Sequence, residues 1–268
     1  MKRAVRLTDL VGGSALAAAV LFAPTLVSAE GGGAVQRGDW VFTLGLGAGV
    51  APDYEGSEDY EPIPFATVRA QYQEYYAQLR GPNLKVNVVP SKLINFGPVI
   101  KYNGGRDDVE NNRVDRLPDV DESLEVGAFF GVNFRNWNID IEGVQDVAGG
   151  HGGYLFEFGV GHTFMLAEGL SWNLGLDWSY ASEDYMDEFF GIGPVAAARS
   201  GLPRFSASDG FKDFGTTSVL NYRVTESWGA TAIFSYSRLI EDAADSPVTD
   251  IEGSPNQFFG GIIGSYSF

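Results

Sequence analysis

A strict two-residue alternation of apolar with small or polar side chains constrains the fold of this chain more than any other feature. In one segment, apolar and aromatic residues alternate with small or polar ones: Leu170, Trp172, Leu174, Leu176, Trp178 and Tyr180 against Ser171, Asn173, Gly175, Asp177 and Ser179. A period of two places successive side chains on opposite faces of a β-strand. The pattern recurs through most of the chain, so an all-β fold is predicted.

The aromatic residues separate two kinds of all-β fold. A soluble sandwich turns its apolar faces inward, whereas a membrane barrel turns them to lipid and keeps a polar lumen. Large amphipathic rings lie at the ends of the alternating segments: Trp40, Trp137, Trp172, Trp228, Tyr102, Tyr180 and Tyr236. Such rings prefer the lipid–water boundaries and form girdles there. The sequence therefore predicts a transmembrane antiparallel up-and-down β-barrel.

The strands can be counted. The alternating segments are 39–49, 62–72, 74–81, 83–90, 94–102, 122–134, 136–148, 153–166, 170–182, 209–224, 226–239 and 256–268. Twelve is an even number, as in bacterial single-chain barrels, and ten or fourteen strands remain alternatives. Short and long connectors alternate, which is typical of periplasmic turns and outer loops, so both ends of the barrel chain are predicted to be periplasmic. Pro98 lies inside a segment, so a bulge or a shifted boundary is expected there.

The first 29 residues have the pattern of a secretory signal. Lys2, Arg3 and Arg6 precede an apolar run, and Val27-Ser28-Ala29 forms a small-x-small cleavage site. A single anchoring helix is the alternative. We expect a signal peptide over 1–29 and one barrel domain over 30–268, exported to the outer membrane of a Gram-negative cell.

The net charge and the cysteine content exclude some binding partners and some kinds of site. The net charge is −17, and removing three basic residues and Asp9 with the signal gives −17 − 3 + 1 = −19. An acidic chain of this kind does not suit nucleic acid. The chain has no cysteine, which excludes thiol nucleophiles and cysteine-ligated metals.

Several loop segments carry a family resemblance. The segments are Gly47-x-Gly49-x-x-Pro52-x-Tyr54-Glu55-Gly56-Ser57-x-x-Tyr60, Gly150-His151-Gly152-Gly153, Tyr185-Met186-x-x-Phe189-Phe190-Gly191, Ser200-Gly201-Leu202-Pro203-x-Phe205 and Ser237-Arg238-Leu239-x-x-Asp242-Ala243-Ala244-Asp245-Ser246-Pro247. Together they resemble the MipA/OmpV family of outer-membrane proteins. The terminal Phe268 also resembles the C-terminal signal that outer-membrane barrels present to their assembly machinery.

The resemblance implies an outer-membrane barrel in contact with lipid and lipopolysaccharide. Its name-giving member is described as a scaffold for a lytic transglycosylase and a bifunctional murein synthase, and other members as adhesion or osmotic-response proteins. The residues themselves leave the partner and the oligomeric state open.

Catalytic and metal sites are not expected. Only two histidines are available as a general base, His151 in a Gly-rich outer connector and His162 on the lipid face of the eighth strand. The loop serines Ser200 and Ser246 lack a Gly-x-Ser-x-Gly elbow. We therefore predict no catalytic, cofactor-binding or metal residue, and interpret His151 as a loop histidine with flexible neighbours. A barrel lipase or deacylase is a distant alternative.

Charged residues fall into two groups. Carboxylates cluster in the predicted outer loops, as solvated charges or as sites for divalent cations that bridge to lipopolysaccharide. By parity, charges of both signs point into the lumen: Arg69, Arg80, Lys101, Asp140, Glu142, Glu157, Asp177 and Arg223. They form either a structural plug or a selective pore. The segment from Tyr185 to Phe190 does not alternate and is expected to be a short helix or a loop over the mouth.

The predicted function is that of a non-enzymatic outer-membrane protein. It acts as a scaffold for murein enzymes through periplasmic turns, or as a surface interaction protein through outer loops. A narrow channel for small solutes is the alternative.

Overall fold

A computed structural model describes residues 40–268, and the predicted signal peptide over 1–29 lies outside the described residues. The strands are β1 (Trp40–Pro52), β2 (Tyr60–Tyr72), β3 (Tyr75–Arg80), β4 (Asn83–Asn87), β5 (Ile94–Asn103), β6 (Ser123–Phe134), β7 (Trp137–Asp146), β8 (Tyr154–Ala167), β9 (Leu170–Ala181), β10 (Gly210–Arg223), β11 (Trp228–Leu239) and β12 (Asn256–Ser267). The helices are a 3₁₀ turn (Val114–Arg116), α1 (Glu183–Phe190), α2 (Pro194–Ser200), α3 (Glu241–Asp245) and α4 (Pro247–Asp250).

The twelve strands form one closed antiparallel barrel in sequence order. Pairing of β1 with β12, from Thr43 opposite Ser267 to Val50 opposite Gly260, closes it. Closure leaves every strand with two neighbours, which satisfies backbone hydrogen bonds inside a bilayer. The predicted fold and strand number are confirmed. Within residues 40–268 no helix is long and apolar enough to cross a membrane.

The exposure of the side chains shows whether the apolar rows of the strands point outward to lipid or inward to a core. Leu46 is 76% exposed and Ile262 is 69% exposed, while the alternate positions of these strands face inward. Large apolar side chains that remain this exposed on a closed barrel lie against hydrocarbon. The predicted outward direction of the apolar rows is therefore confirmed.

Aromatic rings surround both ends of the barrel. Near the short turns the contacting ring pairs are Trp40–Tyr72, Trp137–His162, Trp228–Tyr266 and Tyr266–Phe268. Near the long loops they are Tyr154–Phe156, Tyr180–Phe211 and Tyr236–Phe258. Both ends of the described chain lie at the short-turn end, which is the periplasmic end by the rule for loop lengths.

Of the two outcomes expected at Pro98, a bulge or a shifted boundary, the structure shows a shifted boundary in the neighbouring strand β4. The pairing of Pro98 with β6 is continuous, opposite Ala128, but the ladder between β4 and β5 stops at Val99. The Pro98 nitrogen faces β4, because Phe96 and Ile100 of the same parity do, and it has no hydrogen to donate. Beyond Pro98 the Asn87 side chain takes part in the contact, with Oδ1 accepting from Phe96 N–H at 3.0 Å, while Val88 N–H donates to the Phe96 carbonyl at 3.0 Å. β4 therefore ends at Asn87, shorter than the predicted segment 83–90.

Candidate functional site

A short helix closes the outer mouth of the barrel. Ser182 caps α1, with its Oγ accepting from the Tyr185 N–H at 3.4 Å. Positions spaced four apart, Tyr185 with Phe189 and Met186 with Phe190, face inward and are at most 3% exposed. The structure confirms the helical alternative for this segment, and its aromatic face fills the mouth.

The phenol of Tyr185 fixes the helix to the barrel rim. Its Oη donates to Glu55 Oε2 at 3.1 Å, and Glu55 also forms an ion pair with Lys212. Lys212 Nζ lies 2.9 Å from Asp213 as well, so the cation is shared by two carboxylates. Burial, then the Glu55 charge, raises the pKa of Tyr185 well above its usual value, so the phenol remains a donor.

Two other loops hold the carboxyl end of α1. Arg106 Nη1 donates to the Phe189 carbonyl at 2.7 Å, and Ser246 Oγ donates to the Phe190 carbonyl at 2.6 Å. These carbonyls belong to the last turn, where helices leave acceptors without an internal partner. The loops 104–122 and 240–255 are thereby joined to the helix that closes the mouth.

His151 is buried beneath α1, which corrects the interpretation of a loop histidine with flexible neighbours. Its Nδ1 accepts from the Gly153 N–H at 3.1 Å, so Nε2 carries the proton in the neutral ring and lies 3.1 Å from Glu125 Oε1. The ring packs edge-on against Tyr185 at 4.8 Å. Both ring nitrogens of His151 therefore have partners within the mouth.

The candidate serines do not meet this histidine. Ser200 Oγ donates to the Ala196 carbonyl at 2.8 Å, while Ser246 binds the end of α1. His162 lies between the rings of Trp137, at 4.6 Å, and Phe164, at 4.5 Å. Its predicted place at the periplasmic lipid boundary is confirmed, and among the described residues these groups form no Ser–His pair.

A buried ion network crosses the lumen below the mouth. Lys101 Nζ lies 2.5 Å from Glu142 and also pairs with Glu157, while Lys85 pairs with Glu142 from the other side. Lys101 is 1% exposed, and the network joins β4 and β5 to β7 and β8. A buried charge needs such partners, since removing it from water is costly.

Charges of opposite sign occupy neighbouring arcs of the inner wall. The basic residues Arg69, Arg80, Lys85 and Lys101 lie on β2 to β5, and the acidic residues Glu125, Asp140, Glu142, Glu157 and Asp177 lie on β6 to β9. The predicted inward direction holds for Arg69, Lys101, Glu142, Glu157 and Asp177, which are buried inside the barrel. Parity reasoning missed Lys85 and Lys212, and a bulge explains the second case.

The loop carboxylates act as acceptors within the mouth. Asp53 Oδ2 accepts from the Glu110 N–H at 2.9 Å, and Asp242 accepts from the Ser208 N–H at 2.8 Å. Burial raises the pKa of Asp53, although the bond from Glu110 opposes the shift. Residues 40–268 contain no group of three histidine or carboxylate side chains placed to hold a metal ion.

Comparison with known protein families shows which family the chain is related to. The family model "MltA-interacting protein MipA" matches residues 44–268, which include all but the first residues of the barrel. The chain belongs to the MipA family. It is therefore an outer-membrane β-barrel protein, as the resemblance implied.

Individual relatives of this MipA-family chain are distant. An Escherichia coli (strain K12) protein described provisionally as outer membrane protein YiaT is 26% identical over 143 residues, which are 53% of this chain and 57% of that protein. The NanC porin structure covers 83% of this chain and 98% of its own, at 11% identity and a TM-score of 0.47. An outer membrane channel from Pseudomonas putida F1 gives 11% identity, coverage of 88% and 97%, and a TM-score of 0.43.

The segments that carried the MipA resemblance meet in space at the mouth. Glu55, His151, Tyr185 and Ser246 come from four of them and all contact α1 or belong to it. In the fifth segment, the Gly201 carbonyl accepts from Arg113 Nη2 at 2.6 Å. The resemblance therefore rests on the residues that assemble the closed mouth.

Proposed function

We propose that this MipA-family chain is a non-enzymatic scaffold that docks murein enzymes at the periplasmic face of the outer membrane. The observation that carries the proposal is the closure of the barrel at two levels, by α1 in the mouth and by the Lys101 network in the lumen. A barrel filled in this way works through its surfaces. The family name, MltA-interacting protein, supports a lytic transglycosylase as the partner, and a bifunctional murein synthase follows from the resemblance.

The periplasmic surface offers one segment large enough to be a docking point. Most connectors at this end are two-residue turns, whereas 88–93 has six residues. Val88 and Leu93 of this connector are 49% and 46% exposed. Exposed apolar side chains in a polar turn region are typical of protein contact sites.

Site-specific crosslinking tests the scaffold role. Because the sequence has no cysteine, a crosslinker reacts only with the cysteine that is introduced. Lys92→Cys places a crosslinker on 88–93, and Arg204→Cys places a matched one on the outer loop 182–209. We expect murein enzymes to be recovered from envelopes with the first variant alone. Recovery with neither variant refutes the scaffold, and recovery of partners through Arg204→Cys alone supports the surface-interaction alternative.

A narrow channel is the second candidate, favoured by the separation of basic and acidic arcs on the inner wall. Such a lumen orients dipolar solutes and sets ion preference. Planar-bilayer recordings separate the two functions. The scaffold predicts no stable current steps, whereas a channel predicts steps whose ion preference changes in Asp177→Asn.

A hydrolase test addresses the absence of enzymatic activity. We expect no ester or amide hydrolysis from the purified chain, since the ring nitrogens of His151 are both engaged. Hydrolysis that disappears in His151→Ala while the barrel stays folded contradicts the proposal.

A further inference from the structure

The periplasmic half of the lumen is lined mainly by uncharged polar side chains. Near the short turns, most strands place an amide or a hydroxyl side chain on their inward face. The amides come from six different strands and are Gln71, Asn95, Asn133, Asn138, Asn173 and Asn221. We call the space that they surround the periplasmic cup.

The cup opens to the periplasm and ends at the ion network. Along β6 and β7 the exposure of the inward side chains falls from exposed Asn133, through half-buried Asn138, to Glu142 at 3%. Beside Glu142, the side chain of Lys85 is 24% exposed, although that of Lys101 is only 1% exposed. Its exposed part therefore faces the periplasm. The four residues from 138 to 142 span about 13 Å along a tilted strand, so the cup is roughly 10 Å deep.

Two amides of the cup are available to a ligand. Asn95 and Asn133 lie diagonally across the strand pair β5–β6, because Asn95 is opposite Gly131, and this places them about 7 Å apart. Within residues 40–268 no hydrogen bond joins either side-chain amide to another residue. Gly131 adds no side chain that would fill the space between them. Accessible amides of this kind hold water, which a polar ligand can replace.

The amides beside these two hold one another in place. Asn173 Nδ2 donates to Asn138 Oδ1 at 3.3 Å and to Thr163 Oγ1 at 3.0 Å. Asn138 Nδ2 in turn donates to Asp140 Oδ2 at 3.0 Å. Since Asn133 is directly opposite Asn138, the available amides stand next to a fixed wall. A binding site needs such a combination of a pre-formed wall and a few placed polar groups.

The charged side chains of the cup are already engaged, which favours an uncharged ligand. Arg69 donates to Gln71 at 3.1 Å and to Gln78 at 2.8 Å, and Lys85 pairs with Glu142. A charged ligand has to displace these partners before it gains a strong contact. An amide both donates and accepts hydrogen bonds, as a hydroxyl group does, so the available amides match a molecule rich in uncharged hydroxyl groups.

We propose that the periplasmic cup binds the end of an uncharged saccharide. Asn95 and Asn133 donate to its hydroxyl groups and accept from them, and the ion network stops it from passing farther into the lumen. The shallow depth of the cup admits the end of a sugar chain and not its whole length. This ligand goes beyond the scaffold proposal and does not depend on it, because docking of an enzyme on 88–93 requires no sugar.

Saturation-transfer NMR of the full folded chain, in a detergent without a sugar head group, tests the cup. Glucose and N-acetylglucosamine are the uncharged probes. Glucosamine and glucuronate have a related ring with one positive and one negative charge, respectively. We expect the uncharged sugars to bind at least about fivefold more tightly than either charged one, since a charge has to displace an existing partner.

Variants of the two available amides locate the binding. Asn95→Leu and Asn133→Leu should each weaken binding of the uncharged probes about fivefold, as expected for the loss of one hydrogen-bonding group. Asn112→Leu, the same change on an exposed residue of the outer loop 104–122, should leave binding unchanged. The heat-dependent gel shift of folded barrels checks each variant, and Asn133→Asp, which keeps the shape but loses the donor, substitutes for Asn133→Leu if that variant does not fold.

Three outcomes overturn the sugar site. They are the absence of binding by both uncharged probes, equal binding of charged and uncharged sugars, and unchanged binding in both cup variants. Crosslinking of murein enzymes through Lys92→Cys should persist in Asn133→Leu. A failure of the sugar site is thereby distinguished from a failure of the scaffold.

Discussion

Tyr185 and Glu55, 130 positions apart in the sequence, are joined by a 3.1 Å hydrogen bond that ties the closing helix to the first outer loop. The bond is buried and its acceptor is a carboxylate already paired with Lys212. Because the phenol is the donor, it stabilises a charge that burial would otherwise penalise. The closing helix is therefore held by this contact as well as by the apolar packing of α1.

Replacing Tyr185 with Phe is expected to loosen the mouth and leave the barrel intact. The change keeps the ring and removes one charge-assisted hydrogen bond, which contributes about 1.5–3 kcal/mol. Urea unfolding followed by tryptophan fluorescence should show this loss, while Tyr222→Phe on the lipid face should show none. An equal effect of both variants would mean that α1 is held by apolar packing and not by the phenol.

The ion network in the lumen predicts a non-additive pair of variants. Lys101→Met leaves Glu157 buried without its cation, which is expected to cost about 3–5 kcal/mol of unfolding free energy. Adding Glu157→Gln removes the isolated charge, so the double variant should be more stable than Lys101→Met alone. Denaturation midpoints of the four proteins measure the coupling. Additive losses would show that the lumen is wet enough to solvate Glu157.

The inward charges could be predicted from the sequence, but their partners could not. Period-two alternation assigns each side chain a face, so Lys101 and Glu157 were correctly placed inside. Their contact reaches from β5 to β8, across the two strands between them, and depends on the stagger of the closed barrel, which local alternation does not contain. The pairing is thus a property of closure and not of either strand.

Two local irregularities explain the residues that were missed. A register shift between Phe211 and Asp213 buries both Lys212 and Asp213, so simple parity fails for Lys212. The burial of His151 follows from Asp146, whose carboxylate accepts from several backbone N–H groups and tightens the connector. An acid shortly before a Gly-rich run was the available signal for that turn.

The pH dependence of stability should report on Glu188, at the last turn of α1. Burial raises its pKa above the ordinary 4.5, with the Arg106 charge opposing the shift. The folded state then holds this proton more tightly than the unfolded state, so its contribution to stability is present below pH 4.5 and is lost as pH rises through the raised pKa. Glu188→Gln should reduce the loss in unfolding midpoint across that window, and Glu183→Gln, the same change on the first turn of the same helix, should not. A parallel pH profile in both variants would assign the effect to other groups.

Arg113 joins three outer loops through its guanidinium group. Its Nη1 pairs with Glu252, while Nε and Nη2 donate to the Ser200 carbonyl at 3.3 Å and the Gly201 carbonyl at 2.6 Å.

Arg113, in the loop 104–122, thereby holds the loops 182–209 and 240–255. A planar guanidinium can make these bonds at the same time. Arg113→Gln should accelerate limited proteolysis within these loops several-fold, because about 1 kcal/mol of local opening energy is a factor of roughly five. Arg116→Gln, an exposed cation on the 3₁₀ turn that follows Arg113, controls for charge. Because Arg113 lies far from 88–93, crosslinking of murein enzymes through Lys92→Cys should persist in Arg113→Gln, and its disappearance would show that the outer loops and the periplasmic face are coupled.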